Sequence, residues 1–254
     1  MPMILRTALL LLLTGLMAGC VSSGTVDPLK TEEGRQQARD AYIQLGIGYL
    51  QQGAASRAKT PLRKALEIDP RSADAHAALA LVFQTEMEND LADKHYREAL
   101  SNRRDARILN NYGSFLYEQQ RYSEAMERFT QATEDNLYPE RARVFQNLGL
   151  TALKLGRRDD AERYFTRSLR LDSRQPMALL ELAMMAYEDK QYVPAKRYYN
   201  SFSQLAEQNA RSLLLGIRLA NIHQERDTAA SLGLQLRRLY PGTDEYKQFL
   251  SEQR

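Results

Sequence analysis

Leu45-Gly46-Ile47-Gly48-Tyr49, then Ala58, then Leu62-Arg63-Lys64-Ala65-Leu66-Glu67-Ile68-Asp69-Pro70: this stretch decides the fold. Gly46 and Ala58 stand twelve positions apart on two apolar-periodic segments, and Pro70 ends the second. The same pair recurs down the chain. The first small residue returns at Ala80, Gly113, Gly149, Ala183 and Gly216, at intervals of 34, 33, 36, 34 and 33. The second returns at Ala92, Ala125, Ala161, Ala195 and Ala229, at intervals of 34, 33, 36, 34 and 34. Two series holding one register through six copies specify a repeated pair of helices. Where two helices cross, a side chain larger than methyl would push their axes beyond the usual spacing of about 8–10 Å. Large residues on either side, such as Leu79, Phe83, Tyr112, Leu148 and Leu182 on first helices, and Leu62, Tyr96, Phe129, Phe165 and Tyr199 on second helices, are expected as core.

Composition agrees with a helical array. The 254 residues are 43% apolar and 26% charged, which excludes a disordered chain. Strand-forming alternation is absent. The Leu-Gly-x-x-Tyr … Ala-x-x-x-Leu-x-x-Ala … Pro pattern resembles the tetratricopeptide repeat, which implies an all-α superhelical solenoid of six helix–turn–helix repeats. The repeats are expected at about 39–72, 73–105, 106–141, 142–175, 176–208 and 209–242, within a domain at 32–254. Gly53 and Gly156 are expected to turn the chain between paired helices in the left-handed conformation. Asp69-Pro70 and Tyr138-Pro139 separate repeats, and the longer fourth interval predicts a longer loop around Asp135 to Pro139. Pro61 and Pro194 are expected in the first turns of second helices. The sixth repeat has one additional residue between Gly216 and Ala229, and residues 243–254 read as a short C-terminal capping helix.

The first nineteen residues are of another kind. Arg6 precedes an apolar run from Ala8 to Ala18, too short to span a bilayer core of roughly 30 Å. Residues 1–19 therefore read as a secretory signal peptide. Met17-Ala18-Gly19-Cys20 resembles the bacterial lipobox, with Met where Leu is commoner, and implies lipidation of Cys20. Cys20 is the single cysteine, so an internal disulfide is impossible. The resemblance implies covalent diacylglycerol and an N-acyl chain on Cys20, and no other cofactor. Each buried methylene contributes about 0.8 kcal/mol of membrane affinity, so the anchor would be firm. In bacterial lipoproteins the residue after the cysteine sets the membrane; Val21, where Asp would retain the protein at the inner membrane, implies the periplasmic face of the outer membrane. Residues 20–31, rich in Ser, Gly and Pro at their start, read as a lipidated tether.

Catalytic chemistry finds no support. His76, His95 and His223 are scattered, the nearest two nineteen residues apart, whereas a helical zinc pair would want three or four. No GxGxxG, GxxxxGK[ST], GxSxG or HExxH occurs. Asp159-Asp160 and Glu32-Glu33 fall at helix starts, where they oppose the positive end of the dipole. An enzyme and a small-molecule substrate are therefore not expected. With 35 basic and 32 acidic side chains, a net charge of +3 and no basic block, neither is nucleic acid.

What remains is a binding surface on the first helices. Counting from the small residue, its positions include Ile43, Gln44, Ile47 and Leu50, then Ala77, Leu81 and Gln84, then Asn110, Asn111, Ser114 and Tyr117. The later repeats offer Gln146, Asn147, Leu150 and Leu153, then Leu180, Met184 and Tyr187, then Leu213, Leu214 and Ile217. The ends of this row are apolar and its middle polar. Ile43, Ile47, Leu50 and Leu81 are the candidate partner-binding residues, as an apolar face suits a helix or strand laid in a groove.

With lipobox and repeats together, the sequence resembles the type IV pilus biogenesis and stability lipoproteins, the PilF/PilW family of pilotins. The resemblance is carried by Asp40 to Leu50, Leu62 to Pro70, Ala75 to Ala80 with Val82-Phe83-Gln84, Leu109 to Gly113, Arg211 to Ala220 and Leu239 to Gly242. It implies that the protein binds subunits of the pilus secretin in the periplasm, carries them to the outer membrane and promotes their multimerisation. The alternative left open is a periplasmic tetratricopeptide scaffold lipoprotein for cell-wall enzymes.

Overall fold

The computed structural model describes residues 28–253, and every regular element among them is helical. The segment 1–19, Cys20 and the start of the tether lie outside the described residues. A 3₁₀ turn at Pro28–Lys30 leads into α1 Glu32–Gln51, α2 Ala55–Ile68, α3 Ala73–Thr85, α4 Asn89–Asn102, α5 Ala106–Glu118 and α6 Tyr122–Ala132. There follow α7 Arg141–Lys154, α8 Arg158–Leu171, α9 Pro176–Glu188, α10 Tyr192–Ser203, α11 Ala210–Ile222, α12 Arg226–Leu239 and α13 Asp244–Glu252. Where the sequence reading has one array, these helices form two compact units, divided in sequence between Asn102 and Arg103. The first holds α1–α4 and the second α5–α13. No described helix is long and apolar enough to cross a membrane.

Most first helices begin on side-chain caps, although α7, which follows Glu140, has none. Thr31, Ser72, Asp105 and Asn209 each accept hydrogen bonds from backbone N–H groups of the first turns of α1, α3, α5 and α11, and Thr243 does the same for α13. Each cap satisfies donors that the helix itself leaves open. Helix α9 starts on Pro176 instead, whose fixed φ suits a first position. The second helices α2, α6, α8, α10 and α12 have no side-chain cap. They start directly out of the turn that ends their partner.

That turn is the same six times. Gly53, Met87, Gln120, Gly156, Lys190 and Gln224 all have φ between 59° and 72°. The residue after each donates its N–H to a carbonyl five positions back, from Ala54 to Tyr49 at 2.9 Å through to Glu225 on Ala220 at 2.8 Å. This is the Schellman motif, which closes a helix with a left-handed residue. Only Gly53 and Gly156 announce it in the sequence. At the other four the side chain accepts the left-handed strain, of roughly 1–2 kcal/mol.

The turns also set the phase. Seven residues before each left-handed residue stand Gly46, Ala80, Gly113, Gly149, Ala183 and Ile217. Gly216 is therefore not the sixth marker. The apparent extra residue before Ala229 is a one-place shift in the small residue, while α12 keeps its register. In the other repeats the crossing is tight: a Cβ on Gly113 would lie 2.6 Å from the Phe129 ring, and Gly149 meets Phe165 in the same way. In the sixth, Ile217 takes the marker position and Gly233 of α12 stands where the earlier second helices carry Leu62, Tyr96, Phe129, Phe165 and Tyr199. The ring of Phe249, from α13, approaches Gly233, 2.8 Å from where its Cβ would be.

One further expectation needs amendment. Pro61 lies in the interior of α2, its seventh residue, and is buried there. Helix α2 accepts the lost hydrogen bond at that point, which Pro194, third residue of α10, does not require. The expected longer loop is present at 133–140, with Leu137 fully in solvent and the Asp135 carboxylate accepting from its N–H at 2.9 Å.

Candidate functional site

In the first unit the candidate surface lies on α1 and α3. Ile43, Ile47 and Leu50 share one stripe of α1, at spacings of four and three. They are not equally accessible. Ile43 is only 4% exposed, packed with Ala65 and Ala75. It is a core residue, and its place among the surface residues is corrected. The physical reason is its row: Ala77, Asn110 and Leu180, three places before their own markers, are 1%, 6% and 1% exposed. The row one place after the marker behaves differently. Ile47, Leu81, Ser114, Leu150, Met184 and Arg218 are all half-buried, as a row on which a partner could rest would be. Ile47 and Leu50 pack their inner sides on Ala58, Leu62, Leu79 and Val82 and keep their outer sides open. The usable apolar surface is Ile47, Leu50 and Leu81, edged by exposed Gln44 and by Gln84, which accepts a hydrogen bond from the Tyr96 hydroxyl at 2.9 Å.

Behind α3 the structure joins two histidines that the sequence reading left scattered. His76 Nδ1 and His95 Nδ1 are 2.9 Å apart, and His76 Nε2 lies 3.1 Å from the Pro70 carbonyl oxygen. A carbonyl can only accept, so His76 carries its hydrogen on Nε2. In the neutral pair His95 Nδ1–H then donates to His76 Nδ1. Phe83 stacks on the His95 ring at 5.2 Å. Burial, and secondarily His76 and Lys94, push His95 down to about 4, against a weaker opposing pull from Glu98. The signal was positional: His76 is four before Ala80 and His95 three after Ala92, which are facing places on one hairpin. No cluster of three metal-ligating side chains exists among the described residues.

In the second unit the first helices carry polar pairs. Asn147 Nδ2 donates to Asn110 Oδ1 at 3.1 Å. Glu181 is only 5% exposed, and the Arg211 guanidinium meets both its oxygens, at 2.9 and 3.3 Å. This fork holds a carboxylate that would otherwise be costly to bury. Arg218 pairs with Glu252 of α13 and donates to Gln248 at 3.3 Å. Burial raises the Tyr117 hydroxyl, with Tyr122 and Glu181 adding to it. Glu181, Arg211 and Arg218 escaped the sequence reading, because a buried Glu in a Leu-Ala-rich helix looks like a solvated one until its arginine, thirty residues on, is placed. Together these groups offer directed donors and acceptors for recognition.

The tetratricopeptide repeat family profiles match residues 104–174 and 147–210. The chain is 61% identical over 251 residues to the Type IV pilus assembly protein PilF of Pseudomonas aeruginosa strain PAO1, covering 98% of this chain and all of that one. The solved structure of Pseudomonas aeruginosa PilF superposes with a TM-score of 0.85 at 62% identity, over 86% of this chain and 99% of the other. That of PilW, a widely conserved type IV pilus biogenesis factor, superposes with a TM-score of 0.71 at 30% identity, over 84% and 99%. A relative this similar along its whole length places the chain in the PilF/PilW family of type IV pilus biogenesis tetratricopeptide proteins.

Proposed function

We propose that this protein is an outer-membrane lipoprotein that serves as pilotin for a type IV pilus secretin. It binds secretin subunits on the periplasmic side, brings them to the outer membrane through acyl chains on Cys20, and promotes their assembly into the multimeric pore. The observation that carries the reading is full-length identity of 61% to a type IV pilus assembly protein. The leader ending in Met17-Ala18-Gly19-Cys20 adds the anchor. The binding surface is Ile47, Leu50 and Leu81, an apolar patch exposed enough to be covered and backed by a packed core.

Cys20→Ala in the native cell tests anchor and escort together. The variant should accumulate as a folded protein absent from outer-membrane fractions, and secretin multimers should leave that membrane with it. Secretin multimers that stay in place after deletion of the gene would refute the pilotin role. A Cys20→Ala protein still in the outer membrane would refute only the anchor.

A further inference from the structure

The second unit holds an amide pair that its own packing does not require. Three places before the marker, first helices carry Ile43, Ala77, Leu180 and Leu214, all core at 4% exposed or less. The place is polar only in α5 and α7, where it holds Asn110, 6% exposed, and Gln146. An amide put where alanine or leucine serves elsewhere costs desolvation energy unless its polar atoms are bonded. The Asn110 carbonyl oxygen accepts from Asn147 Nδ2 at 3.1 Å. A single bond between two amides always leaves an NH2 group and a carbonyl oxygen over. Here these are Asn110 Nδ2 and Asn147 Oδ1, and neither has a partner among the described residues. Neither is enclosed, so both are reachable from outside. Asn110 lies one turn before Ser114 and Asn147 one turn before Leu150, so both open onto the half-buried row that runs on to Met184.

The unused atoms say what fits there. A free donor beside a free acceptor, with no unpaired charge near them, complements a peptide backbone. In an extended segment one residue turns its N–H and its C=O to the same side, as it does in an antiparallel strand pair. A helix has spent those groups on its own hydrogen bonds. Nucleic acid would need free cations, whereas Arg211 and Arg218, the arginines on this side of α11, are held by Glu181 and Glu252. We propose that the Asn110–Asn147 pair is a docking site for an extended segment of a partner protein, which it holds by the main chain of one residue. An apolar side chain of that segment rests on Leu150 and Met184. The main-chain bonds supply affinity and the apolar contact supplies selectivity. The proposal goes beyond the secretin reading and uses none of Ile47, Leu50 or Leu81.

The probe is a random dodecapeptide library displayed on phage, selected on the full chain and counter-selected on Asn110→Leu combined with Asn147→Leu. That double replacement removes both partners of the bond together, so it leaves no orphaned amide and should keep the fold and the melting temperature. Peptides enriched on the parent, made synthetically and labelled, should bind it saturably in fluorescence anisotropy. The double variant should bind them about tenfold more weakly or worse. A scan of the same peptides, with one backbone nitrogen methylated at a time, should find a position whose methylation costs as much while every side chain stays unchanged. The scan uses the parent protein, so it decides the matter even where the double variant is unstable. Ile47→Asp should leave binding unchanged, which separates this site from the secretin-binding one. No peptide enriched on the parent over the double variant, or a methylation scan with no sensitive position, would overturn the proposal. So would peptides that lose their binding on Ile47→Asp.

Discussion

The third repeat and the sixth solve one packing problem from opposite sides. At the third crossing α5 supplies no side chain at Gly113 and α6 supplies the Phe129 ring. At the sixth, α11 supplies Ile217, and α12 supplies none at Gly233. A crossing of two helices needs one large partner and one small one, and either helix can be the small one. The difference lies in what closes the remaining space. Phe129 fills its own hairpin, whereas Gly233 leaves room that Phe249 enters from α13. The sixth hairpin is completed by its neighbour, and the third completes itself.

Removing the large partner should have the largest effect. Phe165→Ala, at a fully buried ring, should cost about 3–5 kcal/mol in urea unfolding. Filling the small side should cost less. Gly149→Ala places a methyl into the Phe165 ring, an overpacking loss of about 1–3 kcal/mol offset in part by the better helix propensity of alanine. The two should not add, because the space left by Phe165→Ala accepts the new methyl; additive losses would break the crossing argument.

The second repeat varies the theme with a polar pair beside its Ala80 and Tyr96 crossing. His95 is held below its unfolded value near 6.5, so the unfolded chain binds more protons between about pH 6.5 and 4. Stability should therefore fall as pH falls through that window. The loss is on the order of 1 kcal/mol, once solvent screening of a half-buried ring is allowed for. His95→Phe, compared with the parent in urea melts at pH 7 and pH 4.5, should flatten the dependence; an unchanged slope would mean another group carries it.

Gly233→Ala should have the smallest global effect. Its methyl meets the far edge of Phe249, and α13 can move away. Unfolding free energy should change by under about 1 kcal/mol, while the α13 amides exchange much faster. A global loss as large as that of Gly149→Ala would mean that the two crossings are not different after all.

The repeat was legible because it is written in small residues, and a missing side chain at a crossing leaves little freedom. The inner turns were legible only at Gly53 and Gly156; Met87, Gln120, Lys190 and Gln224 take the same backbone without the residue that advertises it. Gly216 misled for a related reason. It is small, but the side chain nearest to it is Tyr199 of the preceding repeat, with Leu232 of α12 beyond, so its smallness serves first a different neighbour. Ile43 misled because row position, and not hydrophobicity, decides which apolar residue reaches the surface. The polar contacts joining neighbouring elements, such as Glu181 with Arg211, were hidden because each half is unremarkable alone.

The caps bear on the order in which the chain can fold. First helices such as α1, α3, α5 and α11 carry their own starting signal, whereas α2, α6, α8, α10 and α12 begin only where a preceding turn has already formed. Where the first helix carries such a cap, nucleation belongs to it and propagation to the second; α7 has no side-chain cap and does not share that signal. The contacts that complete a hairpin lie within one repeat, so the entropy of closing each loop is small. A chain emerging amino end first can finish each hairpin before the next is available, and the last hairpin waits for α13.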